Sequence, residues 1–165
     1  VCDLLEQFHI RSTKTGLQHG TITAHYGMFD YEITTFRIDG EYSDNRHPEQ
    51  VSFTRNLSED LKRRDFTVNA LAYSYSAGLV DLYGGLSDIE NKIIRTVGNP
   101  EERFQEDGLR IMRALRFAST LGFTIEEETK KAIHKQKHLL KNISVERISV
   151  ELNKLLSGDN VFNIF

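Results

Sequence analysis

Arg103-Phe104-Gln105-Glu106-Asp107-Gly108-Leu109-Arg110-Ile111-Met112-Arg113-Ala114-Leu115-Arg116-Phe117 carries two adjacent carboxylates and then arginines at every third position. Residues three and four apart are neighbours on a helix, so Asp107 and Arg110 are expected to project into one space, with Arg113 and Arg116 continuing the row. Leu109, Ile111, Met112, Leu115 and Phe117 supply an apolar face on which such a helix can seat itself. A solvated helix face with i,i+3 ion pairs also has this pattern. The choice of Arg throughout favours recognition, because a guanidinium fork matches phosphates and base edges in a way that Lys does not.

Outward from this stretch the texture differs on its two sides. Gly98-Asn99-Pro100 is the best boundary in the chain. After it the pattern reads as helices only, with Thr124-x-x-Glu127 as a capping box. Ser144 is placed to cap a last helix whose inner face is Val145, Ile148, Leu152, Leu155 and Leu156, with Gly158 as its stop. Before the boundary, Val1, Leu4, Leu5 and Phe8 read as a helix. His19 to Ile38 reads as a hairpin about Gly27-Met28-Phe29-Asp30. Val51–Phe53 reads as a short strand, Ser58 to about Ser74 as a helix, and Leu79–Leu82 as a strand broken at Gly84-Gly85. Asp88 to Lys92 reads as a short helix and Ile93 to Val97 as a strand. The fold class is therefore α+β. Residues 1–98 form one part and residues 99–165 a helical second part.

Composition excludes several classes of function. No segment has the unbroken apolar length of a membrane span. A single cysteine, Cys2, rules out an internal disulfide framework and suits a reducing cytoplasm. The net charge of −3 means that any phosphate binding rests on local clusters rather than on bulk positive charge. The six histidines show no zinc spacing, and His134 and His138 read as structural. The chain starts at Val1, inside a helix, and reads as a fragment.

Other stretches carry candidate chemistry. Arg63-Arg64-Asp65-Phe66-Thr67-Val68-Asn69 mixes cations with Asp65 and Asn69, which share a face if the segment is helical and can bond a ribose. Surface i,i+4 pairs are the plainer reading of those charges. Glu32, mid-strand in Tyr31-Glu32-Ile33-Thr34, can be one of several oxygen ligands to a divalent metal, or an exposed strand residue. Asp81-Leu82-Tyr83-Gly84-Gly85 is a sharp turn, of further interest where backbone must approach a nucleotide. Residues 39–50 are polar and turn-rich and read as an exposed loop.

In order, Thr15-Gly16-Leu17-Gln18-His19-Gly20-Thr21, Glu32-Ile33-Thr34-Thr35-Phe36-Arg37, Arg46-His47-Pro48, Arg63 to Ala70, Asp81 to Gly85 and Arg103 to Arg110 closely resemble the class II tRNA nucleotidyltransferase/poly(A) polymerase family, above all its bacterial CCA-adding members. The likeness runs from Thr15 to the last helix. It implies a partial polymerase-β-like palm with a mixed sheet, called the head, followed by an all-α neck. It implies transfer of nucleotides from CTP and ATP to the 3′ end of tRNA with Mg²⁺, in the cytoplasm. It assigns Arg64 and Asp65, with Asn69 beside them, to the sugar and triphosphate. Asp107 and Arg110 are assigned to the base, and Arg113 and Arg116 to further hold on the nucleotide. The loop with Arg46 and Glu49 is assigned to the switch from CTP to ATP, and Glu32 to the third palm carboxylate. The family's glycine-rich motif and Asp-x-Asp metal pair precede the helix that opens this chain, so these 165 residues alone are expected to be inactive. A poly(A) polymerase, or a non-catalytic nucleotide- or RNA-binding module, are the alternatives. The oligomeric state is left open.

Overall fold

The computed structural model describes residues 1–17, 20–40 and 50–164. Helix α1 (Cys2–Gln7) leads into a three-stranded antiparallel sheet of β1 (Arg11–Gly16), β2 (Thr21–Tyr26) and β3 (Phe29–Thr34). The hairpin between β2 and β3 is the one expected, closed by Gly27-Met28 with Gly27 at φ 63°. A two-residue hairpin turn needs that left-handed backbone, which glycine adopts without steric cost. Ile22 and Ala24 turn one face of β2 inward. The register sets Thr21 opposite Thr34, Thr23 opposite Glu32 and His25 opposite Asp30, so the other face is polar. Strand β1 was not apparent from sequence because Arg-Ser-Thr-Lys-Thr-Gly has no apolar residue to alternate. A short antiparallel pair follows, β4 (Arg37–Asp39) with β5 (Val51–Phe53).

The expected helix from Ser58 to Ser74 is not one helix. Helix α2 (Leu57–Lys62), capped by the Asn56 side chain on the Ser58 amide, stops at Arg63. Long-range pairing then takes over from local propensity. Phe66 is extended (φ −124°, ψ 151°) and bridges Thr96. The Thr67 amide donates to the Arg95 carbonyl at 2.9 Å, and the Val97 amide to the Asp65 carbonyl at 3.0 Å. A 3₁₀ turn over Thr67–Asn69 follows, then β6 (Leu71–Ser74), antiparallel to β7 (Gly78–Asp81).

The two glycines after β7 serve packing. A Cβ on Gly85 would lie 2.3 Å from the Thr67 carbonyl oxygen, so only glycine lets α3 (Gly85–Glu90) sit on the 67–69 turn. Asp81 caps α3 by accepting from the amides of Tyr83 at 3.2 Å, Gly85 at 2.9 Å and Leu86 at 2.9 Å. Burial pushes its carboxyl up, but those amides outweigh burial and hold it below the ordinary carboxylate value. Buried Asp88 accepts from the Thr67 hydroxyl at 2.6 Å and from Arg95 Nε at 3.1 Å, tying α3 to the same turn.

Strand β8 (Ile93–Ile94) is shorter than expected and pairs in parallel with β9 (Thr124–Ile125), so the region after Pro100 is not purely helical. Because Thr124 is in that strand, Glu126 replaces it as the cap of α6 (Glu127–Gln136). Glu126 accepts from the Thr129 amide at 2.7 Å. The remaining helices are α4 (Pro100–Glu106), α5 (Leu109–Leu121) and α7 (Val145–Leu156), with a 3₁₀ segment at Lys137–Asn142. Ser144 stands at the start of α7 without a side-chain bond to its amides. The main apolar cluster joins Phe66 and Ile94 to Phe104, Ile111, Ala114, Ala118, Ala132, Ile133 and Leu139. It thus unites residues from both sides of Gly98-Asn99-Pro100 and fixes α5 against the 63–69 segment. Among the described residues no helix is long and apolar enough to cross a membrane.

Candidate nucleotide-binding cleft

Helix α5 and the 63–69 segment face each other across an open cleft of about 580 Å³. Thr34, Arg63, Arg64, Asp65 and Asn69 line one side, and Asp107, Arg110, Arg113 and Phe117 the other. Four of these are arginines, against two carboxylates. An anion of high charge density is the ligand such a lining favours.

The first wall is organised by Asp60, which is buried. Its Oδ1 accepts from Arg63 Nε at 3.0 Å, from the other end of that guanidinium at 2.7 Å, and from the Arg37 amide at 3.2 Å. Its Oδ2 accepts from Arg64 at 3.2 Å. Burial drives the Asp60 carboxyl upward. The Arg63 hydrogen bond and charge, the Arg37 amide and the Arg64 hydrogen bond outweigh it, so the group lies below the ordinary carboxylate value. Arg64 also donates to the Asn69 carbonyl at 3.1 Å, which bends the chain back on itself. Asp65 and Asn69 do meet, though not on a helix: Asn69 Nδ2 donates to Asp65 Oδ1 at 3.1 Å. The Phe66 amide donates to the same oxygen at 2.9 Å, and Arg113 Nε donates to Oδ2 at 2.7 Å.

The second wall corrects the single-helix reading of Glu106 to Arg116. Helix α4 ends at Glu106, and Asp107 is extended (φ −143°, ψ 106°). A new helix starts after Gly108, and Asp107 Oδ1 accepts from the Leu109 amide at 3.0 Å. Asp107 Oδ2 accepts from Arg147 at 2.8 Å. Arg110 is buried and bonds elsewhere: to the Glu106 carboxylate, to the Arg103 carbonyl at 3.0 Å and to the Arg63 carbonyl at 3.1 Å. Asp107 and Arg110 therefore reach one cleft from separate anchorages.

Arg116 does not line this cleft. Its guanidinium lies 3.6 Å from the Phe117 ring centroid, and its Nε donates to Glu151 at 2.9 Å. Glu32 does not line the cleft either; it is exposed on β3, two residues before Thr34 on the same strand face. Arg46 and Glu49 lie outside the described residues. Among those described, no group of three or more His, Cys, Asp or Glu can hold a metal ion.

Two residues escaped the sequence reading. Arg147 and buried Glu151, one turn apart on α7, hold Asp107 and Arg116 respectively. Their i,i+4 spacing was visible, but it looks like an ordinary surface pair until α7 is laid against α5. Phe117 was read as core. It meets Phe66 edge to face at 5.7 Å while lining the cleft.

Known proteins share this fold. Residues 1–95 match the family described as "Poly A polymerase head domain", and residues 122–165 match "Probable RNA and SrmB- binding site of polymerase A". The chain is 51% identical over 164 residues to the CCA-adding enzyme of Lactobacillus helveticus, covering 98% of itself and 41% of that protein. It is 53% identical over 154 residues to that of Bacillus velezensis, covering 93% and 39%. The structure of the Bacillus stearothermophilus CCA-adding enzyme in complex with CTP matches with TM-score 0.84 and 44% identity, over 93% of this chain and 37% of that one. A tRNA nucleotidyltransferase complexed with a primer tRNA and an incoming ATP analog matches with TM-score 0.77 and 31% identity, over 99% and 45%. The chain thus spans about two-fifths of the length of the curated relatives it matches. By head-domain match, sequence identity and shared fold, the chain belongs to the poly(A) polymerase head-domain family, with bacterial CCA-adding enzymes among its relatives.

Proposed function

We propose that the protein is a tRNA nucleotidyltransferase that adds C, C and A in turn to the 3′ end of tRNA from CTP and ATP. In each step the terminal ribose hydroxyl attacks the α-phosphorus, the α–β bridging P–O bond breaks and pyrophosphate leaves. The observation that carries this reading is the single cleft that Arg64, Asp65 and Asn69 share with Asp107 and Arg110.

The chemistry of that lining suits two bases and rejects two. Cytosine and adenine each present an exocyclic amine beside a ring-nitrogen acceptor. A carboxylate takes a hydrogen bond from the amine, and a guanidinium gives one to the ring nitrogen. Uracil and guanine present a carbonyl beside an N–H, so both contacts meet the wrong polarity. A site built to hydrogen-bond its ligand rejects such an analogue by ~10⁴ or more. Asp107 and Arg110 take these roles. Arg64 serves the triphosphate, Asp65 and Asn69 serve the ribose, and Arg113, which donates to Asp65, adds further hold on the nucleotide. Arg116 supports Phe117 behind the cleft. Arg46 and Glu49 belong to the switch between CTP and ATP. Residues 1–98 act as the head and 99–165 as the neck, and the work is done in the cytoplasm.

Mg²⁺ is the metal such a transfer uses, to neutralise the phosphates and activate the hydroxyl. The described residues do not fit it: Glu32 stands without a second and third carboxylate or imidazole.

Incubating the complete protein with tRNA lacking its last three nucleotides, with CTP and ATP together and each alone, and then sequencing the products tests the reading. Ordered addition of C, C and A supports it. Runs of A point to a poly(A) polymerase, and nucleotide binding without extension to a non-catalytic module.

A further inference from the structure

Arg103 lies outside the nucleotide cleft, yet it sits at the junction of everything that fixes Arg110. Helix α2 ends at Lys62, and its last carbonyls have no partners within the helix. Two arginines of the neck supply them: Arg103 donates to the Lys62 carbonyl and Arg110 to the Arg63 carbonyl, each at 3.1 Å. The Glu106 carboxylate stands between the same two guanidinium groups, one oxygen on Arg103 and the other on Arg110. The Arg103 carbonyl also accepts from Arg110 at 3.0 Å. The result is a closed ring running from the Lys62 carbonyl through Arg103, Glu106 and Arg110 to the Arg63 carbonyl. The Arg103 side chain is only 14% exposed, and it lines a small cavity of about 210 Å³ with Ile38, Asp39 and Glu59.

We infer that Arg103 is a positioning residue for base selection: it holds Glu106, and through Glu106 the Arg110 guanidinium, in register with the Arg63–Asp65 turn. This rests on the assignment of Arg110 to the base. Arg103 is half-buried and lines the smaller cavity rather than the nucleotide cleft. The planar fork meets the Lys62 carbonyl and the Glu106 carboxylate from fixed directions, whereas the ammonium of Lys is a point charge on a flexible stem and fixes neither direction. Without the Arg103 guanidinium, Glu106 keeps a single cationic partner and can rotate, so Arg110 keeps its two carbonyls but loses a fixed carboxylate on its third side. The triphosphate contacts of Arg64 rest on Asp60 and remain.

The test is kcat/KM for CTP, ATP, UTP and GTP in the complete protein, parent against Arg103→Gln, Arg103→Lys, Arg110→Ala and the double variant Arg103→Gln/Arg110→Ala. Thermal melting checks that each variant is folded, and Arg103→Lys serves where Arg103→Gln does not fold. The expected result is a drop of about tenfold for CTP and ATP with little change for UTP and GTP. In the Arg110→Ala background, Arg103→Gln should add almost nothing, since residues acting as one unit are not additive. An equal fall for all four nucleotides, or additive losses in the double variant, would overturn the inference. If Arg110→Ala itself leaves discrimination intact, the base assignment fails first, and that outcome is distinguishable because it does not involve Arg103.

Discussion

Asp60 is the carboxylate whose removal should be felt farthest. It is 1% exposed and accepts from Arg63, Arg64 and the Arg37 amide. Asp60→Asn keeps the shape but turns one acceptor into a donor that faces guanidinium hydrogens. A buried charge pair broken on one side costs about 3 kcal/mol. For a domain of this size that is a fall of roughly 6–12 °C in melting temperature. The pH dependence gives a sharper signature. Because the folded-state pKa lies below the ordinary value of 3.8, the carboxylate's contribution is complete above that value. It is lost as pH falls through the lower folded value, where parent and variant both carry a neutral group. Chemical unfolding of parent and Asp60→Asn at pH 7 and at pH 3 measures the difference at each pH. A charged Asp60 in this role gives a gap of about 3 kcal/mol at pH 7 that narrows at pH 3. A gap that is the same at both, or below about 0.5 kcal/mol at pH 7, would refute the claim that a charged Asp60 organises the wall.

Arg64→Ala should reduce kcat/KM for CTP and ATP alike by roughly 1.5–3 kcal/mol, since sugar and triphosphate are common to both; a loss confined to one nucleotide would assign Arg64 to the base instead. Gly85→Ala places a methyl group 2.3 Å from the Thr67 carbonyl and should destabilise the protein by about 1–3 kcal/mol in a melting experiment. An unchanged melting temperature would mean that α3 can shift off the 67–69 turn freely. Arg147→Ala should lower CTP and ATP use by releasing Asp107, with UTP and GTP nearly unaffected. Unchanged selectivity would show that Asp107 needs no such support.

What was legible in the sequence was local. The Gly27-Met28 hairpin and the apolar face of α5 follow from short-range patterns that the fold did not have to override. The segment from Arg63 to Ser74 misled because Leu61, Val68 and Leu71 fall at helical spacing, while the decisive contacts are Phe66 to Thr96 and Asp65 to Val97, some thirty residues away. Of the seven residues expected to hold the nucleotide, Arg64, Asp65, Asn69, Asp107, Arg110 and Arg113 line one cleft and Arg116 does not. Their geometry was not readable. The break at Asp107-Gly108 is a backbone event within an otherwise helical pattern. The partners of Asp107 and Arg116 come from α7, about thirty-five to forty residues on. Charge pairs between elements leave no periodic trace, so Arg147 and Glu151 emerge only once the helices are packed.

The claim at the centre of this account is that Asp107 and Arg110 choose the base. It is tested most directly by kcat/KM for CTP, ATP, UTP and GTP in the complete protein, parent against Asp107→Ala and Arg110→Ala. Each change leaves a partner group on the base unpaired, at roughly 1–3 kcal/mol. CTP and ATP use should fall by that amount, and the gap to UTP and GTP should narrow. Full rejection of UTP and GTP in both variants would contradict it and leave the cleft's arginines as phosphate binders alone.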